Sequence, residues 1–176
     1  MLDDYSNFLD RYKDLNEIED NLWLGNESAA ENKEDLKRKG IKKVLSVMDG
    51  PPNYNLEDGF IHKKIEIDDM NHENIIQYFG ECLNFIKGEE KVFVHCAVGA
   101  SRSATIVIAY LMWKNKKKFD EVLKLVQKIR PIVWPNEGFK DQLKLFEKLL
   151  EENNYNIDKI NFKEVKWVPP ENLPFY

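Results

Sequence analysis

The nine residues His95-Cys96-Ala97-Val98-Gly99-Ala100-Ser101-Arg102-Ser103 constrain this chain more than any other stretch. Before them runs Lys91-Val92-Phe93-Val94, short and apolar in the manner of a buried strand. After them comes Ala104-Thr105-Ile106-Val107-Ile108-Ala109-Tyr110-Leu111-Met112-Trp113, long enough for a core helix. A strand, a loop of small residues and a helix in this order place the loop's N–H groups at a helix N-terminus. Inward-turned N–H groups and the positive end of the helix dipole favour a bound oxyanion such as phosphate. The side chains fit the same purpose. Arg102 can grip two phosphate oxygens at once, as a lysine cannot, and Gly99 supplies the backbone freedom of a tight cradle. Cys96 lies at the base of that cradle, where the dipole, the loop amides and Arg102 all favour a thiolate. A thiolate so placed can attack phosphorus and form a cysteinyl-phosphate. A buried structural cysteine beside a chance arginine would leave the rest of the pattern without a cause.

The remainder of the chain alternates strands with helices. Strands are expected at 21–24, 42–47 and 60–67, with the turn signal Asp49-Gly50-Pro51-Pro52 between the last two. A helix over 28–38 ends near Gly40. Ile75, Phe79, Cys82, Leu83 and Ile86 share one helical face, and two further helices follow near 118–129 and 137–151. This alternation predicts an α/β fold with a central, largely parallel twisted sheet flanked by helices. Leu2, Tyr5, Phe8, Leu9, Tyr12 and Leu15 predict an amphipathic helix over residues 1–16 that packs on a domain of residues 17–151. A membrane-surface role for it is disfavoured by its acidic residues and few basic ones. Residues 152–176 form a tail whose aromatic content predicts packing against the domain. Its Trp167-Val168-Pro169-Pro170 run is open to a second reading as a ligand for a proline-reading partner.

H-C-x-x-G-x-x-R-S resembles the signature of the cysteine-dependent protein tyrosine phosphatases. Three other segments resemble the dual-specificity branch. They are Ile18-Glu19-Asp20-Asn21-Leu22-Trp23-Leu24-Gly25, Gly40-Ile41-Lys42-Lys43-Val44-Leu45-Ser46-Val47, and Pro135-Asn136-Glu137-Gly138-Phe139-Lys140-Asp141-Gln142-Leu143. Together the likeness spans roughly residues 18–150. It implies a phosphatase-like fold and hydrolysis of phosphate esters through Cys96, with Arg102 and the loop Ala97, Val98, Gly99, Ala100 and Ser101 binding phosphate. It further implies that His95 holds the loop and favours the thiolate, and that the Ser103 hydroxyl bonds the sulfur and aids its departure. Ser101 reads as a loop-shaping residue rather than a nucleophile.

Expelling an alkoxide or phenoxide requires a proton on the leaving oxygen. Aligning the family's I-x-I-x-D pattern on Ile65-Glu66-Ile67-Asp68-Asp69 puts that acid at Asp69, with Asp68 as the alternative. Whichever is not used reads as a cap or a solvated surface residue. No cofactor is implied, and histidines at 62, 72 and 95 form no metal-ligand pattern, so no metal is expected.

The chain has 176 residues, about the length of one domain, with 43% hydrophobic residues. No window approaches the length of a membrane span, and the acidic start Met1-Leu2-Asp3-Asp4 does not read as a signal peptide. Stable membrane insertion is therefore not expected. Two cysteines, one needed as a thiolate, suit a reducing, cytoplasmic compartment, with nuclear entry left open. A net charge of −5 argues against nucleic acid as a partner and against RNA triphosphatase chemistry. The expected partners are phosphorylated proteins, the expected role is in signalling, and oligomeric state is left open.

Little room remains for elements that deepen the pocket in tyrosine-specific relatives, so phosphoserine and phosphothreonine are expected beside phosphotyrosine. Ala97, Val98, Ala100 and Ser101 add no charge inside the loop, unlike the lysines of superfamily members acting on phosphoinositides. A phosphoinositide or other non-protein phosphatase, and a catalytically dead phosphate-binding module, are the competing readings. The segments after Asn136 also read somewhat like relatives with a C-terminal zinc domain, but no cysteines follow. Cys82, on an apolar helix face, reads as structural rather than as a redox partner of Cys96. The cluster Lys114-Asn115-Lys116-Lys117-Lys118 reads as a solvated helix end.

Overall fold

The structure, a computed structural model, describes residues 13–50 and 59–172. Five strands form one sheet: β1 (Leu15–Glu19), β2 (Leu22–Gly25), β3 (Lys43–Met48), β4 (Ile61–Glu66) and β5 (Val92–His95). Their order is β1-β2-β5-β3-β4, antiparallel only between β1 and β2. The helices are α1 (Glu27–Glu31), α2 (Lys33–Arg38), α3 (Phe79–Ile86), α4 (Arg102–Asn115), α5 (Phe119–Ile129) and α6 (Glu137–Glu152), with 3₁₀ turns at Ile76–Tyr78 and Ile157–Lys159. The mostly parallel sheet between helices agrees with the fold class expected from the alternation of elements.

Strand alternation decides which residues meet which layer. Leu45 and Val47 of β3 and Val92 and Val94 of β5 face the larger core with α3, α4, α5 and α6. Val44 and Phe93 point to the other face, where Ala29, Ala30, Leu36, Ile41 and Phe60 cover them. All four residues of β5 are buried, as befits a strand covered on both sides. α4 is buried from Arg102 through Met112. Its apolar residues run round the whole helix because it is surrounded, and full burial of each Ile or Val there contributes about 1.5–3 kcal/mol.

Several expected boundaries shift. The helix expected over residues 1–16 lies mostly outside the described residues, and its end is not helical. Leu15 and Asn16 are extended because they pair with Gly25 and Leu24 in a hairpin that adds β1 to the sheet. The single helix expected over 28–38 is two, broken at Asn32, whose side chain accepts from Asp35 N–H and caps α2. The helical face from Ile75 begins as a 3₁₀ turn, and Ile75, Phe79, Cys82, Leu83 and Ile86 are all buried. Beyond α6, Ile157, Ile160 and Phe162 enter the main core, and Trp113 Nε1 donates to Tyr155 O at 3.0 Å. Val168 is exposed. At the end of α4, Lys114 pairs with Glu19 of β1, so part of the basic cluster is occupied within the fold.

Candidate active site

The parallel strands all end on one edge of the sheet, and the loops that follow them meet there. Ligands of open α/β sheets bind beyond such carboxyl ends, where connections leave to opposite faces. β5 stands between β2 and β3 and ends at His95, so the loop 96–101 begins at the middle of that edge.

Cys96 is 1% exposed at the floor of the loop. Its sulfur receives two hydrogen bonds, from Gly99 N–H at 3.2 Å and from Ser103 Oγ at 3.1 Å. Gly99 has φ +74°, and an added Cβ would run into the Gly25 carbonyl and approach Arg130 Nη2. Only glycine permits both the left-handed turn and the contact with β2.

Arg102 opens α4 with its side chain 8% exposed. Nη1 bonds Asp49 at the end of β3 and, at 3.2 Å, the Ile67 carbonyl. Burial pulls the Arg102 pKa down, but the hydrogen bond to Asp49 and the neighbouring negative groups more than offset it. The same bond holds the Asp49 carboxyl below its ordinary range. Nε of Arg102 is buried without a hydrogen-bond partner among the described residues, 4.0 Å from Asp69 Oδ2.

Asp69 belongs to the loop after β4. Its Oδ1 accepts from Ser101 Oγ at 2.6 Å and from Asn136 Nδ2 at 2.9 Å. Asp68, its alternative, is exposed and lines an open acidic pocket with Asp49, Glu66 and Glu73. Both carboxylates are exposed, and Asp69 is the one hydrogen-bonded to the cysteine loop, through Ser101.

His95 is fully buried, stacked on Phe93 at 5.4 Å. Its Nδ1 lies 3.3 Å from Cys96 O, and its Nε2 lies 2.7 Å from Ser46 Oγ. A carbonyl can only accept, so Nδ1 carries the proton and Nε2 accepts from the Ser46 hydroxyl. Ser46 Oγ in turn lies 2.7 Å from His62 Nε2. Burial lowers the His95 pKa to about 4, opposed by the bond to Cys96 O and assisted by His62, so the ring is neutral. The scattered positions 62 and 95 therefore converge on one serine. Among the described residues no group of His, Cys, Asp or Glu could hold a metal ion.

The sequence reading missed four contributors: Asp49, Ser46, Arg130 and the side chain of Asn136. Asp49 read only as part of a turn. Asn136 also caps α6 by accepting from Phe139 N–H at 2.8 Å, a role visible in its motif, but its grip on Asp69 is not. Arg130 is 1% exposed and donates to Gly99 O and Val98 O. Its signal was a lone charge between Ile129 and Pro131-Ile132-Val133. Cys82 is wholly buried in the main core, where burial raises its thiol pKa, and both cysteines are free.

A buried cysteine opening a strand–loop–helix turn beside a buried arginine, at the carboxyl edge of a mostly parallel sheet, defines the class as an α/β protein with its candidate site at that edge. Comparison with known proteins narrows it. The family model "Dual specificity phosphatase, catalytic domain" matches residues 22–149. Dual specificity protein phosphatase 1B of Arabidopsis thaliana is 41% identical over 146 residues, 80% of this chain and 86% of its own length. MAP kinase phosphatase with leucine-rich repeats protein 1 of Dictyostelium discoideum is 46% identical over 134 residues, which are 74% of this chain but 16% of that protein. Among solved structures, the human tyrosine phosphatase-like serine/threonine/tyrosine-interacting protein superposes with a TM-score of 0.75 at 32% identity, covering 78% of this chain and 97% of that one. The chain belongs to the dual specificity phosphatase family, and is a protein phosphatase of the tyrosine/dual-specificity type. Among the described residues no helix is long and apolar enough to cross a membrane.

Proposed function

We propose that the enzyme hydrolyses phosphotyrosine and phosphoserine or phosphothreonine in proteins through a cysteinyl-phosphate on Cys96, with Asp69 as proton donor and then acceptor. The observation that carries this reading is the pair of hydrogen bonds that Cys96 Sγ receives from Gly99 N–H and Ser103 Oγ, which stabilise a sulfur anion.

In the first step the thiolate attacks phosphorus as the ester P–O bond breaks. Asp69 gives its proton to the leaving oxygen, so that a neutral alcohol or phenol departs. The amides of Ala97, Val98, Ala100 and Ser101, with Gly99 N–H shared between the sulfur and the phosphate, and the side of Arg102 not held by Asp49 take the phosphoryl oxygens. In the second step water attacks phosphorus and its proton passes to the Asp69 carboxylate. The S–P bond breaks, inorganic phosphate leaves, and Ser103 donates to the returning sulfur anion. His95, neutral and held between Ser46 and Cys96 O, fixes the start of the loop.

Protein rather than lipid substrates are supported by the uncharged variable positions of the loop and by the names of the relatives. The test is hydrolysis of p-nitrophenyl phosphate by wild type, Cys96→Ser and Asp69→Asn, followed by phosphotyrosine and phosphothreonine peptides and a phosphoinositide. Loss of turnover in Cys96→Ser, a fall of about 10²–10⁴ in Asp69→Asn and preference for the peptides are expected. Binding of phosphopeptide without turnover by the wild type would replace the reading with a phosphate-binding module, and a preference for phosphoinositide would replace the substrate class.

A further inference from the structure

A loop whose N–H groups converge on an anion turns its carbonyls outward, and a buried carbonyl needs a donor. From Cys96 to Ser101 each carbonyl has one. His95 Nδ1 serves Cys96 O, and Glu27 N–H donates to Ala97 O at 3.2 Å. Trp134 N–H donates to Ala100 O at 2.8 Å, and Thr105 N–H and Oγ1 both reach Ser101 O at 2.8 Å. The two carbonyls in the middle, beside the left-handed turn at Gly99, depend on one side chain. Arg130 Nη2 donates to Val98 O at 3.0 Å and Nε to Gly99 O at 2.8 Å. Its Nη1 is anchored on Lys13 O at 2.6 Å and Asn16 Oδ1 at 2.8 Å.

Arg130 is also a cation in an unusual place. Among the described residues no carboxylate lies within ion-pair distance of it. Burial draws its pKa down, opposed by the nearby Cys96 and Asp14 charges, yet a guanidinium stays charged at neutral pH. A buried charge is ordinarily compensated. Across the loop from Arg130 lies Cys96, at the base of the cradle proposed to take phosphate.

We propose that Arg130 is a positioning residue for phosphate binding, holding the Val98 and Gly99 carbonyls away from the site so that their neighbouring amides face the anion, and backing the cradle with positive charge. The inference rests on the loop being a phosphate site, as under the proposed function, but not on turnover. Arg102 grips from the front and Arg130 braces from behind. A lysine at 130 would keep the charge and lose the fork that spans two carbonyls.

The test uses the full chain and inorganic phosphate as the probe. Alkylation of Cys96 by iodoacetate and by iodoacetamide is followed by mass spectrometry in wild type, Arg130→Met and Arg130→Lys, with and without phosphate. Arg130→Met is expected to raise the phosphate concentration that half-protects Cys96 by about tenfold or more, and to lower the iodoacetate-to-iodoacetamide rate ratio. Arg130→Lys should restore most of the ratio but not the protection. A folded Arg130→Met with wild-type protection and ratio overturns the proposal. If Arg130→Met does not fold, Arg130→Lys decides alone: wild-type protection overturns the proposal, and weakened protection supports it. Absence of phosphate protection in the wild type would instead overturn the phosphate-site reading on which it stands.

Discussion

Ser101 Oγ donates to Asp69 Oδ1 at 2.6 Å, tying the end of the cysteine loop to the loop after β4 across 32 positions of sequence. The same hydroxyl accepts from Asn136 N–H at 3.1 Å, and Asn136 Nδ2 reaches the same carboxylate oxygen. The proposed proton donor is therefore oriented by two partners, one of them part of the phosphate loop itself. Ser101→Ala is expected to lower kcat by about tenfold on a phosphothreonine peptide and by less on p-nitrophenyl phosphate, whose leaving group needs the proton less. Steady-state kinetics on both substrates checks this. An equal loss on both would mean that Ser101 acts through the phosphate loop alone.

Asp49 and the Ile67 carbonyl hold Nη1 of the Arg102 guanidinium, while Nε lies 4.0 Å from Asp69 Oδ2. Asp49→Ala should free the side chain to reorient, and a fork that must be ordered on binding costs affinity. The expected outcome is KM raised by about three- to tenfold with kcat nearly kept. A lowered KM would show instead that Asp49 competes with the substrate phosphate for Arg102.

His95 makes stability depend on pH with a definite sign. Burial holds its folded pKa at about 4, below the ordinary histidine value of 6.5. Between these values the unfolded chain binds a proton that the folded chain refuses, so unfolding takes up a proton and stability falls as the pH drops from 6.5 toward 4. Below about 4 the loss is complete, at roughly 3 kcal/mol from this group. Urea denaturation of wild type and His95→Gln at pH 7 and pH 4.5 should show a smaller pH loss in the variant. Parallel losses would assign the acid limb to other groups.

Gly138, at the start of α6, lies against the backbone of Asn71, whose side chain accepts from Gly138 N–H at 3.2 Å. A Cβ at this position would overlap the Asn71 carbonyl. Gly138→Ala should destabilise the fold by about 1–3 kcal/mol despite the better helix propensity of alanine, because the backbone must move. It should also lower activity at temperatures where the protein remains folded, since Asn71 and Asp69 share a loop. Thermal melts with kinetics below the transition test both parts.

Much of the site could be read from local sequence because the chemistry is local. Cys96, Gly99, Arg102 and Ser103 lie within one strand–loop–helix unit, so their spacing alone brings them together around one cradle. Asp69 was within reach only through an aligned pattern, and its hydrogen bonds from Ser101 and Asn136, which support its proposed role over Asp68, appear only in the folded chain. The end of the N-terminal segment departs from its expected helix for a related reason. Leu15 fits a helical stripe, but pairing with Gly25 in the hairpin outweighs its local helical preference.

What the sequence determined by itself was the alternation of most strands and helices and the grouping of Cys96, Gly99, Arg102 and Ser103 in one loop, which are set by neighbours a few residues apart. Tertiary structure alone decided the supports: Asp49 on Arg102, Ser46 and His62 behind His95, and Arg130 beneath Val98 and Gly99. These partners come from strands and loops that meet only when the sheet assembles in the order β1-β2-β5-β3-β4. A buried carbonyl or guanidinium specifies that it needs a partner, but only the folded chain determines which residue is close enough to serve.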